Sequence, residues 1–286
     1  MRRRTAVREV ARRPLPPGTA AADHVVTGPD GHGVAVRLYR PARLAAAAPT
    51  LFWIHGGGMI GGSIELAEFF CAGLAADLGI LVAAVEYRVA PEHPYPLPLE
   101  DCYTGLRWLH ASAAELGVDR DRIAIGGSSA GGGLAAGLAL LARDRGEVRV
   151  CYQHLIYPML DDRNETPSSH AIRDPRAWNR TANLAGWDAY LGGRAGAPDV
   201  SPYAAPARAR ALEGLPPAYI CVGTLDLFLD EDIAYARALL LAGVPTELHL
   251  YPGVYHGAPT FVPKAAISRR WHSDQRDALA RGLGVR

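Results

Sequence analysis

The sequence predicts an α/β fold, a single domain over residues 1–286 whose mostly parallel sheet of eight strands carries helices on both faces. Three observations lead there. Apolar runs of strand length alternate with helix-period segments from residue 50 to the C-terminus. The runs at 50–54 and 80–85 are apolar without interruption, as strands buried on both faces are. Between the run at 122–125 and a small-residue helical pattern lies the cluster Gly126-Gly127-Ser128-Ser129-Ala130-Gly131-Gly132-Gly133, a tight strand-to-helix turn in which side chains at the positions flanking the serine would collide with the neighbouring strand and helix.

Taken in order, residues 1–22 are rich in Arg, Ala and Pro and read as irregular or weakly helical. Residues 25–27 and 34–39 flank a Gly/Pro/Asp turn, which predicts an antiparallel pair at a sheet edge. A buried strand at 50–54 leads to a helix carrying Leu66, Phe69, Phe70 and Leu74, then to the strand 80–85. A helix starting near Leu99 holds Leu106 and Leu109. Further strands fall at 122–125, 150–157, 218–222 and 247–251, with a helix through Ile233, Ala236, Leu239 and Leu240 before the last and another at 264–283. The polar segment 160–200, with Trp178, Trp187, Tyr190 and Leu191 at helical spacing, is too long for a simple connection and is expected to be a cap or lid, with 1–22 a short further contribution.

The net charge of +1 argues against nucleic acid or an anionic membrane as partner, and no apolar run reaches the length of a membrane span. The basic N-terminus lacks the apolar stretch of a secretion signal. Cys71, Cys102, Cys151 and Cys221 form no C-x-x-C pair and read as buried reduced thiols, Cys151 and Cys221 as core, in keeping with a cytoplasmic protein.

Gly127-Ser128-Ser129-Ala130-Gly131 matches G-x-S-x-G, the pattern that lifts a serine hydroxyl clear of a sheet on a strained turn. Such a hydroxyl is a weak nucleophile; it needs a base, and the base needs an orienting acid. Asp226 and His256 each follow a strand, at the carboxyl end where open α/β sheets place their sites. Asp230, Glu231 and Asp232 lie close by and are better suited to complement the dipole of the next helix. Of the other histidines, His154 and His249 fall in strands and read as core or sheet-face residues, and His110, His170 and His272 as surface. His55-Gly56-Gly57-Gly58 matches the HGGG motif, whose bare backbone N–H groups receive negative charge developing on a carbonyl oxygen; Gly57, Gly58 and Ala130 are the expected donors.

Gly56-Gly57-Gly58-Met59-Ile60-Gly61 also satisfies G-x-G-x-x-G, with Glu86 at the end of the next strand where a ribose-binding acid would sit. That dinucleotide reading fails on context, because two strands precede the motif and Ser129, Asp226 and His256 would be left without a role. There is no H-E-x-x-H and no Cys/His cluster, so neither a metal nor another cofactor is expected.

Together these residues resemble the hormone-sensitive-lipase-like branch of the α/β-hydrolases, which includes bacterial carboxylesterases. The resemblance runs from about residue 34 to 260. It adds Tyr87-Arg88-Val89-Ala90-Pro91-Glu92-His93-Pro94-Tyr95-Pro96 with Asp101 beyond, similar to a stretch that braces the oxyanion loop in that branch. Asp226-Leu227-Phe228-Leu229-Asp230-Glu231 resembles the branch's D-x-L-x-D-E and favours Asp226 as the acid. The chain departs from the pattern at Ser128, where the branch carries Asp or Thr, at Ala258, where it carries an aromatic after His-Gly, and in a short N-terminal part that implies a reduced cap. The resemblance implies a serine carboxylesterase of the α/β-hydrolase fold acting on short-chain acyl esters, its partner a small-molecule ester and its oligomeric state open to a homodimer. A catalytically silent ligand-binding relative, an amidase and an acyltransferase use the same scaffold.

Overall fold

A computed structural model describes residues 14–285. One eight-stranded sheet runs in the order β1-β2-β4-β3-β5-β6-β7-β8, comprising Thr19–Thr27, Gly33–Pro41, Leu81–Glu86, Ala48–Ile54, Val118–Ser128, Tyr152–Ile156, Ala218–Leu225 and Thr246–Tyr255. β2 is antiparallel to both β1 and β4, and every other neighbouring pair is parallel, so the edge hairpin and the parallel body agree with the sequence pattern. Every residue of β3 and β6 is buried, which is why those runs lack alternation.

Helices cover both faces and divide the core in two. On one face lie α2 (Leu97–Ala111), α4 (Ala130–Arg145) and α7 (Leu229–Leu241), packed on Phe52, Ile54, Ile125 and Leu155. On the other lie α1 (Ile64–Leu78) and α9 (Ala266–Leu283), packed on Leu51, Trp53, Tyr219 and Tyr251. The short helices α3 (Ala113–Leu116), α5 (Pro167–Ala171), α6 (Arg180–Tyr190) and α8 (Ala258–Phe261) complete the chain, α5 and α6 lying in the segment 160–200. Asn179 caps α6 by accepting the Ala182 N–H at 3.1 Å.

Several expectations need correction. Thr19 to Ala22 belong to β1, paired with Pro41 to Leu38, because backbone pairing along β2 overrides the weak strand preference of alanine. Residues 1–13, on which most of the N-terminal cap contribution falls, lie outside the described residues. Leu66 and Phe69 of α1 and Leu240 of α7 are exposed, so these helices present apolar side chains on more than their core faces. The last strand continues past residue 251 to Tyr255, through Gly253 at a positive φ of 74°. The strand at 150–157 is shorter than its apolar run, starting at Tyr152, and Cys151 just before it is only half-buried; Cys71, Cys102 and Cys221 are buried, and all four are free thiols. His110 and His272 are partly buried, whereas His170 is exposed. No helix among the described residues is long and apolar enough to cross a membrane.

α4 is built of Gly and Ala because neighbouring backbone lies against it. A Cβ at Gly133 would stand 2.0 Å from the Met159 carbonyl oxygen, and one at Gly137 would stand 2.2 Å from that of Tyr203. In an open helix Gly→Ala gains about 1 kcal/mol from propensity. At position 137 the clash is with main chain, which does not give way, and overpacking of this kind costs about 1–3 kcal/mol. Gly137→Ala is therefore expected to lower the urea midpoint with an unchanged m-value, and a stabilised variant would contradict the packing described for α4.

Candidate active site

The turn after β5 places Ser129 at φ 57°, ψ −122°, a conformation that is strained for a residue with a side chain. Close main chain accounts for the glycines on either side. A Cβ at Gly127 would lie 2.2 Å from the Gly131 carbonyl oxygen, and one at Gly131 would lie 2.1 Å from that of Ile54. The serine backbone is held at both ends, its N–H donating to the Ile156 carbonyl at 2.9 Å and its carbonyl accepting from Met159 at 3.0 Å. Ser128, the departure beside it, packs its main chain toward Gly56, where a Cβ would stand 2.8 Å from the Ser128 carbonyl oxygen.

Ser129, Asp226 and His256 converge. His256 Nε2 lies 3.0 Å from Ser129 Oγ, and His256 Nδ1 lies 2.7 Å from Asp226 Oδ2. The other Asp226 oxygen accepts the Phe228 N–H at 3.1 Å, which orients a carboxylate only 1% exposed. An imidazole that donates from Nδ1 to a carboxylate has its Nε2 free to accept a hydrogen bond.

The neighbouring acids are used differently. Asp230 accepts the Ser168 N–H at 2.7 Å, and Glu231 accepts the N–H groups of Leu160 and Asp161 at 2.7 and 3.2 Å. Asp232 is fully buried, and among the described residues neither of its oxygens has a hydrogen-bond partner. Burial pushes the carboxyls of Glu231 and Asp232 well above the ordinary range. All three do lie in the first turn of α7, but for Glu231 and Asp232 desolvation outweighs the helix dipole.

The glycine loop after β3 carries left-handed backbone at Gly58 and Met59, with φ of 62° and 66°, and at Gly57, with φ 137°. Among the described residues nothing accepts a hydrogen bond from the N–H of Gly57, Gly58 or Ala130, and Ala130 opens α4, where N–H groups lack helical partners. His55 braces this loop. Its Nδ1 is 2.8 Å from the Gly56 carbonyl, and its ring stacks on Tyr87 at a centroid distance of 4.2 Å. The Tyr87 hydroxyl donates to the His55 carbonyl at 2.9 Å. Arg88 donates three times to the buried Asp101, and the Ala90 N–H donates to the Met59 carbonyl at 2.9 Å, so the stretch after β4 does support the loop.

Glu86, the acid of the dinucleotide reading, accepts the Ile64 N–H at 2.7 Å and caps α1. Burial pushes its carboxyl up to about 7. Among the described residues no group of three or more His, Cys, Asp or Glu is arranged to hold a metal ion.

Two residues that pattern reasoning passed over flank the imidazole. Tyr157 stands just past β6 at φ 36°, its ring 4.5 Å from that of His256, and Phe228 meets the same ring edge-on at 5.1 Å. The Tyr157-Pro158 pair at a strand's carboxyl end was the available signal. Of the apolar residues near the site, Met59 and Trp187 are core, Phe261 is exposed and lies against Gly257, and Trp178 lies on the glycine loop.

The histidines tie stability to pH. Burial lowers His55 to about 4 and His154, on β6, to about 3, from an ordinary value near 6.5. A depressed histidine is neutral when folded, so the stability it confers is complete above pH 6.5 and is lost as pH falls toward the folded value. Glu86 acts in the opposite sense, its contribution being lost as pH rises from 4.5 through about 7. His154→Leu is expected to flatten the fall in unfolding free energy between pH 6.5 and 4 by about 2–3 kcal/mol, measured by urea titration at each pH. Equal slopes in variant and parent would show that His154 is not held neutral.

A family model described as the alpha/beta hydrolase fold matches residues 51–260. The chain is 35% identical over 256 residues to Esterase LipI of Mycobacterium tuberculosis, covering 89% of this chain and 79% of that protein. It is 35% identical over 238 residues to the ethyl acetate hydrolase of Pseudomonas putida, covering 82% of this chain and 74% of that one. The solved structure titled Bacterial Heroin Esterase superposes with a TM-score of 0.94 at 45% identity, covering 98% of this chain and 89% of that chain.

Proposed function

The chain belongs to the hormone-sensitive-lipase-like family of alpha/beta hydrolases and is a hydrolase of the carboxylesterase kind, and from that premise we propose that it cleaves short-chain acyl esters through Ser129, His256 and Asp226. The observation that carries the proposal is the unbroken relay from the Ser129 hydroxyl through Nε2 and Nδ1 of His256 to Asp226, at 3.0 and 2.7 Å.

In the proposed reaction His256 Nε2 takes the hydroxyl proton as Ser129 Oγ bonds to the ester carbonyl carbon. The carbonyl oxygen becomes an oxyanion facing the N–H groups of Gly57, Gly58 and Ala130, each such donor being worth about 3 kcal/mol of barrier lowering. His256 then protonates the departing alkoxide, leaving an acyl-serine. Water, deprotonated by the same imidazole, releases the acid and restores the hydroxyl. Asp226 stays ionised, keeps the imidazole in the Nδ1–H tautomer and steadies the imidazolium. Tyr157 and Phe228 restrict the imidazole to a plane that serves both partners. In this reading the segment 160–200 is the cap and the remainder forms one catalytic domain.

Two features support short acyl chains. The ethyl acetate hydrolase among the relatives is named for a two-carbon acyl group. The Trp178 indole occupies the space beside Gly58, so the glycine loop has a bulky ring next to it rather than an open channel.

Ser129→Ala is expected to lower kcat/KM on p-nitrophenyl acetate by at least about 10³-fold with an unchanged melting temperature. Activity near the parent level would remove Ser129 from the mechanism. On p-nitrophenyl esters of two to twelve carbons, kcat/KM should peak at two to four carbons and fall by about tenfold or more by ten, and a maximum at ten or twelve would refute the short-chain reading.

A further inference from the structure

We propose that Trp178 is a positioning residue that clamps Gly58, so that the segment 160–200 sets the geometry of the oxyanion donors as well as covering the site. The inference rests on the reading above, in which the Gly58 N–H receives the developing charge.

Gly58 is at φ 62°, a conformation that its own backbone does not enforce. Two of its close contacts come from the cap segment. A Cβ at Gly58 would stand 2.0 Å from Cη2 of Trp178 and 2.6 Å from Cζ2, so the indole lies directly on the glycine. The second contact is with α6, where a Cβ at Gly186 would stand 2.7 Å from the Gly58 carbonyl oxygen. The residue is thus held from two sides by one segment, and it is buried although its neighbour Gly57 is exposed.

The indole is itself fixed. Trp178 Nε1 donates to Asn183 Oδ1 at 2.9 Å. Asn183 is fully buried and donates through Nδ2 to Asn164 Oδ1. Asn164 is also fully buried, at φ 55°, and its carbonyl accepts from Arg180 at 2.5 Å. A chain of amides inside the cap therefore ends on the ring that touches the glycine loop. Satisfied buried networks of this kind rigidify their surroundings. An oxyanion donor acts only when it points at the place where charge appears, and displacement by about 1 Å costs up to about 10²-fold in rate.

A clamp and a plain pocket wall make different kinetic predictions. Loss of the clamp weakens transition-state binding more than substrate binding, so kcat falls while KM holds. Trp178→Ala is expected to lower kcat on p-nitrophenyl acetate by about 10- to 100-fold with KM within about threefold. Affinity for a trifluoromethyl ketone analogue of the tetrahedral intermediate should fall by the same factor as kcat/KM. Trp178→Phe keeps a ring against Gly58 and should recover kcat to within about fivefold of the parent. Trp178→Leu, which fills the space without a flat ring, should follow the alanine variant and substitutes for it if alanine does not fold, as thermal melting will show.

Unchanged kcat in the alanine or leucine variant, or a rise in KM with kcat retained, overturns the clamp. Ser129→Ala, assayed alongside, separates this from failure of the underlying reading. If it is inactive while the Trp178 variants keep kcat, the clamp alone falls; if it is active, the assignment of the nucleophile falls and the clamp with it.

Discussion

Three backbones meet at the carboxyl end of the sheet, and the arrangement of the site depends on how closely they approach. The last residues of β3, the turn after β5 and the first turn of α4 lie near enough that a methyl group at Gly127 or Gly131 would overlap main-chain oxygen. Within that crowding Ser129 takes a strained conformation, and the hydrogen bonds at its two ends hold it. The parallel sheet then delivers Asp226 and His256 from β7 and β8, two strands in sequence along the same edge.

Around this point desolvation governs which groups carry charge. Asp226 shares its burial with an imidazole and a backbone N–H, whereas Asp232, equally buried, has neither. Burial raises the Asp232 carboxyl and Glu231 beside it, which favours their neutral forms. The same effect applied to a base keeps His55 neutral beneath the glycine loop, where desolvation outweighs the attraction of Glu65 for a positive charge. Four ionisable side chains within a short stretch of structure are thereby sorted into roles by burial and partner.

Much of this was legible in the sequence because it depends on local spacing. The strand–glycine–helix transition at 126–133, the glycines after β3 and the continuous apolar runs each reflect a backbone requirement that few residues satisfy. The meeting of Ser129, Asp226 and His256 was legible through chain order in a sheet whose loops gather at one edge. Tyr157 was not, because its apolar context continues the strand pattern and only its left-handed backbone turns the ring onto His256. Nor was the contact of Trp178 with Gly58, which joins distant parts of the chain and leaves no periodic trace. The burial of Asp232 was hidden for a third reason: a carboxylate in the first turn of a helix looks like a dipole partner whether or not solvent reaches it.

The small-residue spine from Gly126 to Gly137 has one more implication. At Gly126, Gly127, Gly131, Gly132, Gly133 and Gly137 alike, even a single added carbon would come within 3.0 Å of neighbouring backbone or side-chain atoms. Substitution at any of them requires neighbouring atoms to shift, while the exposed flank of α1 at Leu66 and Phe69 faces no such neighbours. Side-chain volume can therefore be added on the solvent face at little cost in packing, and hardly at all along the spine.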